Sequence, residues 1–250
     1  MPGKVYAFCN QKGGVGKTTT AINLAACLAE AGERALVVDL DPQANATSGL
    51  GMRANGSSSY DLLDGEPLAA LAKETQFANL FLVPARPELA GAAVELSQRS
   101  DGERYLAEAL RHVEGFDFVL LDCPPSLGPL TVNALAAADR VIVPVQTEYF
   151  ALEGLAQLVQ SINLIKARLN PRLEIAGVLL TMTDSRTRLS AEVEAEVRRH
   201  FGDLVFKAVV PRSVRVAEAP SHGLPVTHYD PRSRGAEAYW KVAMELVERR

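Results

Sequence analysis

Residues 10–19 read NQKGGVGKTT, and they lie between an apolar run at 5–9 and a helical pattern at 18–31. Clustered glycines between a strand and a helix let successive backbone N–H groups point at one anion. The first turn of the helix adds the positive end of its dipole at the same place. The alternative, a glycine-rich turn that binds nothing, is disfavoured because a Gly-Lys-Thr triplet follows in the position that a phosphate-binding loop requires.

The loop therefore predicts a site for a nucleoside triphosphate. Lys17 is placed to reach the β- and γ-phosphates, and the Thr18 hydroxyl is placed to bind Mg²⁺. The residues expected to contact the nucleotide here are Lys12, Gly13, Gly14, Val15, Gly16, Lys17, Thr18 and Thr19.

The loop departs from the usual G-x-x-x-x-G-K-[ST] pattern at two positions. Gln11 stands where a glycine is usual, and Lys12 adds a second lysine. A second cation beside Lys17 is unfavourable unless nucleotide charge compensates it. Lys12 is thus expected to act on phosphate, and a solvated loop lysine is the alternative.

Two acidic segments follow strand-like runs elsewhere in the chain. Residues 35–39 end in Asp39 and lead to Asp41, and residues 118–121 lead directly into Asp122. Ligands of α/β sheets bind beyond the carboxyl ends of the strands, so these acids should converge on the phosphate loop. Asp122 is placed like the aspartate that holds Mg²⁺ in P-loop NTPases, Asp39 joins it as a metal candidate, and Asp41 is placed to orient the attacking water.

Apolar runs of strand length recur along the chain and alternate with helical patterns. The runs lie at 5–9, 35–39, 80–83, 118–121, 141–145, 175–180 and 205–210. Most are nearly continuous, which is typical of parallel strands covered by helices on both faces. We therefore predict an α/β fold with a doubly wound, mostly parallel sheet, formed by one domain over residues 1–250.

The helical patterns lie at 18–31, 155–169, 192–201 and 236–247, and a further helix is expected after the capping-box spacing of residues 100–103. The segment after the last predicted strand starts at Pro211, at the sheet edge where ligands bind. Pro211 and Arg212 are therefore expected to flank the adenine. Met182 has two possible interpretations: it either covers the base or packs in the core.

Composition excludes several classes of protein. The chain has 48% hydrophobic residues and 30 acidic against 26 basic residues, a net charge of −4, so it is neither disordered nor coated in positive charge. Three cysteines without C-x-x-C spacing disfavour a disulfide framework and a zinc ribbon. No apolar run approaches the ~18 residues of a membrane span, and we expect a cytoplasmic protein.

The motifs together resemble the ParA/Soj branch of the ParA/MinD ATPases, whose deviant Walker A motif matches residues 12–18. The resemblance extends over nearly the whole chain. It includes residues 39–45, 122–126, 144–149, 151–154, 210–215, 218–223 and 229–237. Cys9 and Ala44 are small departures, since many relatives have glycine where Ala44 stands.

The resemblance implies a cycle of assembly and release. Two ATP-bound monomers form a sandwich in which Lys12 of each reaches the nucleotide of the other, with Lys17 and Asp41 as the remaining catalytic residues. The dimer binds double-stranded DNA without sequence preference, and a ParB/Spo0J-type centromere-binding partner stimulates slow hydrolysis and release. The cycle moves chromosomes or plasmids and implies association with the nucleoid.

The same resemblance points to Arg186 and Arg215 as DNA contacts, with ordinary surface ion pairs as the alternative for both. The neighbouring sequence is not basic, so we expect binding that is weak, salt-sensitive and dependent on the dimer.

Three other functions compete with this one. A MinD-like ATPase that cycles on membranes would grip lipid with a cationic C-terminal helix, whereas residues 236–250 mix acidic and basic side chains. A redox ATPase like the nitrogenase iron protein would need four thiolates for its cluster, and Cys123 has no obvious second cysteine near it. A non-enzymatic scaffold would not need Asp41.

Overall fold

The structure is a computed structural model that describes residues 3–111, 113–149 and 151–249. Within these residues seven strands form one sheet. The strands are β1 (Lys4–Phe8), β2 (Ala35–Asp39), β3 (Lys73–Glu74), β4 (Leu80–Val83), β5 (Phe118–Asp122), β6 (Arg140–Gln146) and β7 (Glu174–Thr181).

The strand order is β3-β4-β2-β5-β1-β6-β7, and all neighbouring strands are parallel except β3 and β4. The central strand β1 therefore has β5 on one side and β6 on the other. In the register of β2 and β5, Asp39 lies opposite Asp122. Because the parallel strands end at one edge, the loops that follow β1, β2 and β5 meet there.

Helices cover both faces of the sheet, as the continuous apolar runs predict. The helices are α1 (Lys17–Glu30), α2 (Asn45–Gly49), α3 (Ser59–Leu63), α4 (Leu68–Leu71), α5 (Leu89–Gln98), α6 (Tyr105–Ala109), α7 (Pro129–Ala137), α8 (Ala151–Arg168), α9 (Arg188–Phe201), α10 (Val214–Glu218), α11 (Val226–Tyr229) and α12 (Arg234–Glu248). Alternate residues of β1 divide between the two layers. Tyr6 and Phe8 pack with α1 and α12, whereas Val5 and Ala7, like Cys9 just after the strand, pack with α7 and α8. The predicted doubly wound α/β fold is confirmed.

The predicted strand at 205–210 is wrong. The backbone amides of Phe206 and Val210 donate to β7, but those of Lys207 and Ala208 donate to the Glu245 carboxylate at 2.9 and 3.0 Å. Glu245 belongs to α12, so this side chain draws the middle of the segment away from the sheet. Isolated bridges remain, from Val178 to Val205 and from Thr183 to Pro211.

The helix pattern also needs corrections. The spacing at 100–103 does not form a capping box, because α6 begins at Tyr105 and its N-cap, Arg104, makes no side-chain bond. Gly102 packs so tightly that a Cβ there would lie 1.8 Å from the Leu96 carbonyl oxygen. A capping box forms instead between Ser58 and Asp61 at α3. Sequence patterns also did not predict α2 to α5, α7, α10, α11 or the two-residue strand β3.

Candidate nucleotide-binding site

A cavity of about 420 Å³ opens at the carboxyl edge of the sheet. Its floor is the loop between β1 and α1, and the segment after β2 forms one wall. The lining residues are Gly13, Gly14, Gly16, Lys17, Thr18, Thr19, Ile22, Asp41, Gln43, Asn45, Ser48, Pro125, Met182 and Pro220. The structure thus brings most of the predicted phosphate loop and Asp41 into one cavity.

The loop takes its shape from two glycines with left-handed backbone angles. Gly14 has φ +73° and Gly16 has φ +89°, a region that favours glycine over residues with a Cβ. Gly16 is the N-cap of α1, and its carbonyl accepts the Thr20 amide at 2.9 Å. The Thr181 hydroxyl donates to the Val15 carbonyl at 2.8 Å, which ties the loop to the end of β7. The loop is therefore held open beside the start of α1.

The two loop lysines lie in different surroundings. Lys17 is buried in the cavity and its ammonium donates to the Lys12 carbonyl at 3.3 Å. The Lys12 side chain is 52% exposed and forms an ion pair with Glu148, which follows β6. Lys17 is thus placed toward its own cavity, and Lys12 toward the outer surface of the subunit.

The two metal candidates at the strand ends, Asp39 and Asp122, differ in their hydrogen bonds. Asp39 accepts the Thr47 amide at 2.8 Å, the Thr47 hydroxyl at 2.7 Å and the Asp41 amide at 3.1 Å. Both carboxylate oxygens of Asp122 are buried and lack a hydrogen-bond partner among the described residues. Asp39 therefore already serves the protein as an acceptor, whereas the oxygens of Asp122 remain available.

Burial is the main influence on both of these acids. It raises the pKa of Asp39 to about 6, while the bonds from Thr47 and Asp41 act in the opposite direction. Burial, and then the charge of Asp39, raise the pKa of Asp122 well above its ordinary value. The Thr18 hydroxyl lies near enough to favour the charged form, although it completes no hydrogen bond with either oxygen.

The donor set fits Mg²⁺ held together with a nucleotide. A buried carboxylate without a partner is costly in a protein interior, and a hard cation with oxygen ligands would neutralise it. Among the described residues no group of three or more His, Cys, Asp or Glu side chains could hold a metal ion. Thr18 and Asp122 would therefore hold Mg²⁺, with phosphate oxygens and water as its further ligands. Asp39, opposite Asp122 on the neighbouring strand, would add negative charge beside the ion.

Asp41 lies on the cavity wall and is 5% exposed. One of its carboxylate oxygens accepts the Gln43 amide at 2.9 Å, and its own amide donates to Asp39. This places a fixed carboxylate beside the phosphate loop. Gln43, Asn45 and Ser48 line the same wall, and sequence reasoning missed them although they follow Asp41 closely.

The predicted adenine contacts are less direct. Pro211 and Arg212 pair with Thr183, two residues after β7, but do not line the cavity, whereas Pro220 does. Met182 is half-buried and lines the cavity, with φ +51°, which favours its interpretation as a cover for the base over a core position.

The two predicted DNA arginines are both exposed and both paired. Arg186 donates twice to Asp184, at 2.9 and 2.8 Å, and this holds the pKa of the Asp184 carboxyl down at about 2. Arg215 lies 3.1 Å from Glu218 and 3.3 Å from Asp230. The predicted surface ion pairs therefore exist, and DNA phosphates would have to compete with these carboxylates.

The structure also shows the residues that the competing functions would use. The three cysteines are buried and free, and burial raises the pKa of Cys9 to about 12. In α12 and the residue after it, acidic residues pair with basic ones, Glu237 with Lys241 and Glu245 with Arg249. Within the described ranges, no helix combines the length and apolar character needed to cross a bilayer.

The fold and the loop together define a P-loop nucleotide-binding protein. Residues 3–175 match the family model of an AAA domain. The chain is 56% identical to the chromosome-partitioning ATPase Soj of Thermus thermophilus, over 97% of this chain and 95% of that protein. The chain therefore belongs to the ParA/Soj family of partitioning ATPases.

Solved structures share this fold and contain bound nucleotide and magnesium. A cobyrinic acid a,c-diamide synthase of Mycobacterium smegmatis, bound to an ATP analogue and magnesium, is 38% identical with TM-score 0.85 over 98% of this chain and 95% of that one. The septum site-determining protein MinD of Pyrococcus horikoshii, with Mg-ADP, is 26% identical with TM-score 0.77 over 97% and 95% of the two chains. Nucleotide and magnesium are thus bound in both of these similar proteins.

Proposed function

We propose that this chain, acting as one domain over residues 1–250, is a magnesium-dependent ATPase whose ATP-bound dimer binds DNA and leaves it after hydrolysis. The main support for the proposal is the difference in exposure between the two loop lysines. Lys17 is buried against its own cavity, whereas Lys12 is half exposed at the surface. A lysine outside the cavity can serve a nucleotide held by a second subunit, so its charge reaches the phosphates only in the dimer.

The reaction is the attack of water on the γ-phosphorus of ATP, with cleavage of the bond to the β–γ bridging oxygen. Asp41 orients the water, and Lys17 and the amides of Gly13–Thr19 bind the phosphates. Thr18 and Asp122 would hold the magnesium ion together with the phosphates, and the bound ion would supply positive charge to the phosphate oxygens. Met182 would cover the adenine from the cavity wall, with Pro211 and Arg212 flanking it from outside the cavity lining.

The dimer is proposed to bind double-stranded DNA through Arg186 and Arg215 of both subunits. The pairing of these arginines with carboxylates favours weak and salt-sensitive binding, because each phosphate contact must replace an ion pair. A ParB/Spo0J-type partner would raise the slow hydrolysis rate and release the dimer from the nucleoid. The relatives named for chromosome partitioning support this use of the cycle.

Co-sedimentation with DNA of random sequence tests the proposal. The protein is incubated with Mg-ATP, with Mg-ADP or without nucleotide, across a salt series. We expect binding only with ATP, and a logarithmic salt slope of about −0.9 for each phosphate contact. Lys12→Ala should abolish the ATP-dependent DNA binding. Lys166→Ala, an equal change of charge on α8, should retain that binding.

Two results would overturn the proposal. The first is equal DNA binding by a monomer in ADP. The second is a protein that stays monomeric in saturating Mg-ATP but sediments with vesicles of anionic lipid, which would favour the MinD-like alternative.

A further inference from the structure

We propose that Glu148 is a positioning residue that holds Lys12 in the resting subunit, so that dimer assembly must first remove Lys12 from this carboxylate. The inference rests on the proposed role of Lys12 in the dimer. It gives a role to Glu148, which sequence reasoning did not assign, and it implies that the Lys12 side chain is restrained in the monomer.

The contact itself is direct. The Lys12 ammonium donates to one carboxylate oxygen of Glu148, across 136 positions of sequence. The side chains are 52% and 45% exposed, so the pair lies at the surface, at the mouth of the phosphate loop. Lys12 is thereby held by a carboxylate of its own subunit.

The segment that carries Glu148 is firmly supported. The Thr147 hydroxyl is 2.8 Å from the Ser190 hydroxyl at the start of α9, and both residues are buried. The Glu148 amide donates to the Gln146 carbonyl at 2.8 Å. The carboxylate is therefore presented by a packed turn and not by a free loop.

The backbone of Lys12 is held from the same side. The Lys12 amide donates to the Asn10 side chain at 3.0 Å, and the Asn10 amide group donates to the Pro144 carbonyl in β6 at 2.7 Å. The end of β6 and the turn after it thus position both the backbone and the ammonium of Lys12.

Charge makes this contact incompatible with the proposed dimer contact. A triphosphate that approaches Lys12 also approaches the Glu148 carboxylate, and like charges repel. Lys12 must leave Glu148 as it engages the nucleotide of the partner. Exposed ion pairs are weak, so the restraint adjusts the assembly threshold by a modest factor and does not block assembly.

Lysine reactivity tests the restraint without any dimer. Nucleotide-free protein is treated with a trace of acetic anhydride, and acetylation of Lys12 is compared by mass spectrometry with that of Lys4 and Lys166. An ion-paired ammonium reacts slowly, so Glu148→Gln should increase the relative rate at Lys12 about two- to fivefold. Glu103→Gln, the same change at an exposed glutamate for which no ion pair is found among the described residues, should leave the rate unchanged.

Dimer assembly tests the consequence. In sedimentation velocity with a slowly hydrolysed ATP analogue, Glu148→Gln should form half-maximal dimer at an analogue concentration about two- to fivefold lower. Glu148→Asp retains the charge with shorter reach and should lie between Glu148→Gln and the wild type. Glu103→Gln should match the wild type.

Unchanged Lys12 reactivity in Glu148→Gln would overturn the inference, as would a dimer threshold that stays the same or rises. If the wild type forms no dimer under any condition while Lys12 reactivity still responds to Glu148→Gln, the proposed function fails and the contact stands. The two ideas can therefore fail separately.

Discussion

Asp39 and Asp122 lie opposite each other on neighbouring parallel strands. Of the two carboxyl groups, only that of Asp39 accepts hydrogen bonds from the residues that the structure describes. The two carboxyls are buried side by side but perform different tasks. Asp39 holds the segment after β2 through Thr47. The oxygens of Asp122 have no hydrogen-bond partner among the described residues and lie beside Thr18 and the phosphate loop, as expected of a carboxylate that binds a cation.

Asp122→Asn should stabilise the nucleotide-free protein while it weakens the enzyme. Removal of an unpartnered buried carboxyl relieves a desolvation cost, so the midpoint of thermal unfolding should rise in the absence of nucleotide. Mg-ATP hydrolysis should fall by about 10- to 100-fold, the usual effect of losing a carboxylate that supports a metal site. Calorimetry and a phosphate-release assay measure the two effects.

The matched control for Asp122 is Asp39→Asn. Here an NH₂ group replaces one of two oxygens that both accept protein donors, from Asp41 and from Thr47, so a buried donor is left unsatisfied. The nucleotide-free protein should therefore lose stability, by about 1–3 kcal/mol. Equal changes of stability in the two variants would contradict the division of tasks between these acids.

The stability of the nucleotide-free protein should carry a pH signature of Asp39. Burial raises the pKa of this carboxyl from 3.8 to about 6, so the folded state binds the proton more tightly than the unfolded state does. The contribution of Asp39 to the free energy of unfolding is therefore full below pH 3.8 and is lost as the pH rises through 6. Carbonyl ¹³C NMR should give a midpoint near 6, and a midpoint at the ordinary value would contradict this assignment.

Asp41→Ala should separate ATP binding from hydrolysis. Asp41 lines the cavity but makes its hydrogen bonds within the segment after β2, so its loss leaves the phosphate loop intact. We expect hydrolysis to fall by about 10²-fold or more, as for loss of a group that activates water, while ATP affinity changes little. Fluorescent-nucleotide titration and single-turnover hydrolysis measure the two quantities, and an unchanged turnover rate would exclude Asp41 from the reaction.

The phosphate loop and the strand ends were predictable because each depends on local chemistry. Gly14, Gly16 and Lys17 encode the loop within a few residues, and the apolar runs place Asp39 and Asp122 at one edge of the sheet. The misplaced strand at 205–210 depends on Glu245, about 37 positions away, which takes two backbone amides from the ladder. The pair between Lys12 and Glu148 likewise joins distant segments, so no local pattern could indicate it.

Ala44 connects a sequence departure to backbone strain. It has φ +54°, a left-handed conformation that costs a residue with a Cβ about 1–2 kcal/mol. Ala44→Gly removes this strain but adds freedom to the unfolded chain, so we expect a net gain of about 0.5–1 kcal/mol in the free energy of unfolding. Urea denaturation measures the change. Ala93→Gly, inside α5, should instead lose about 1 kcal/mol, and a loss at both positions would contradict the strain.

The ion pair of Arg186 should limit DNA affinity. Asp184 binds the guanidinium through two hydrogen bonds, and the Arg186 side chain is 84% exposed. Asp184→Asn weakens this competition, so ATP-dependent DNA binding at low salt should tighten by about two- to threefold, the scale of an exposed ion pair. Fluorescence anisotropy across a salt series measures the affinity.

Arg186→Ala should weaken binding and reduce the logarithmic salt slope by about 0.9 for each phosphate that the dimer no longer neutralises. Arg188→Ala is the matched control, because Arg188 is an exposed arginine two positions away that pairs with Glu192. If Arg188→Ala reduces affinity and slope as much as Arg186→Ala does, the binding reflects general charge on this surface and Arg186 makes no specific phosphate contact. If Asp184→Asn leaves affinity unchanged while Arg186→Ala weakens it, the arginine contacts DNA without leaving its carboxylate, and the competition inferred from the ion pair is wrong.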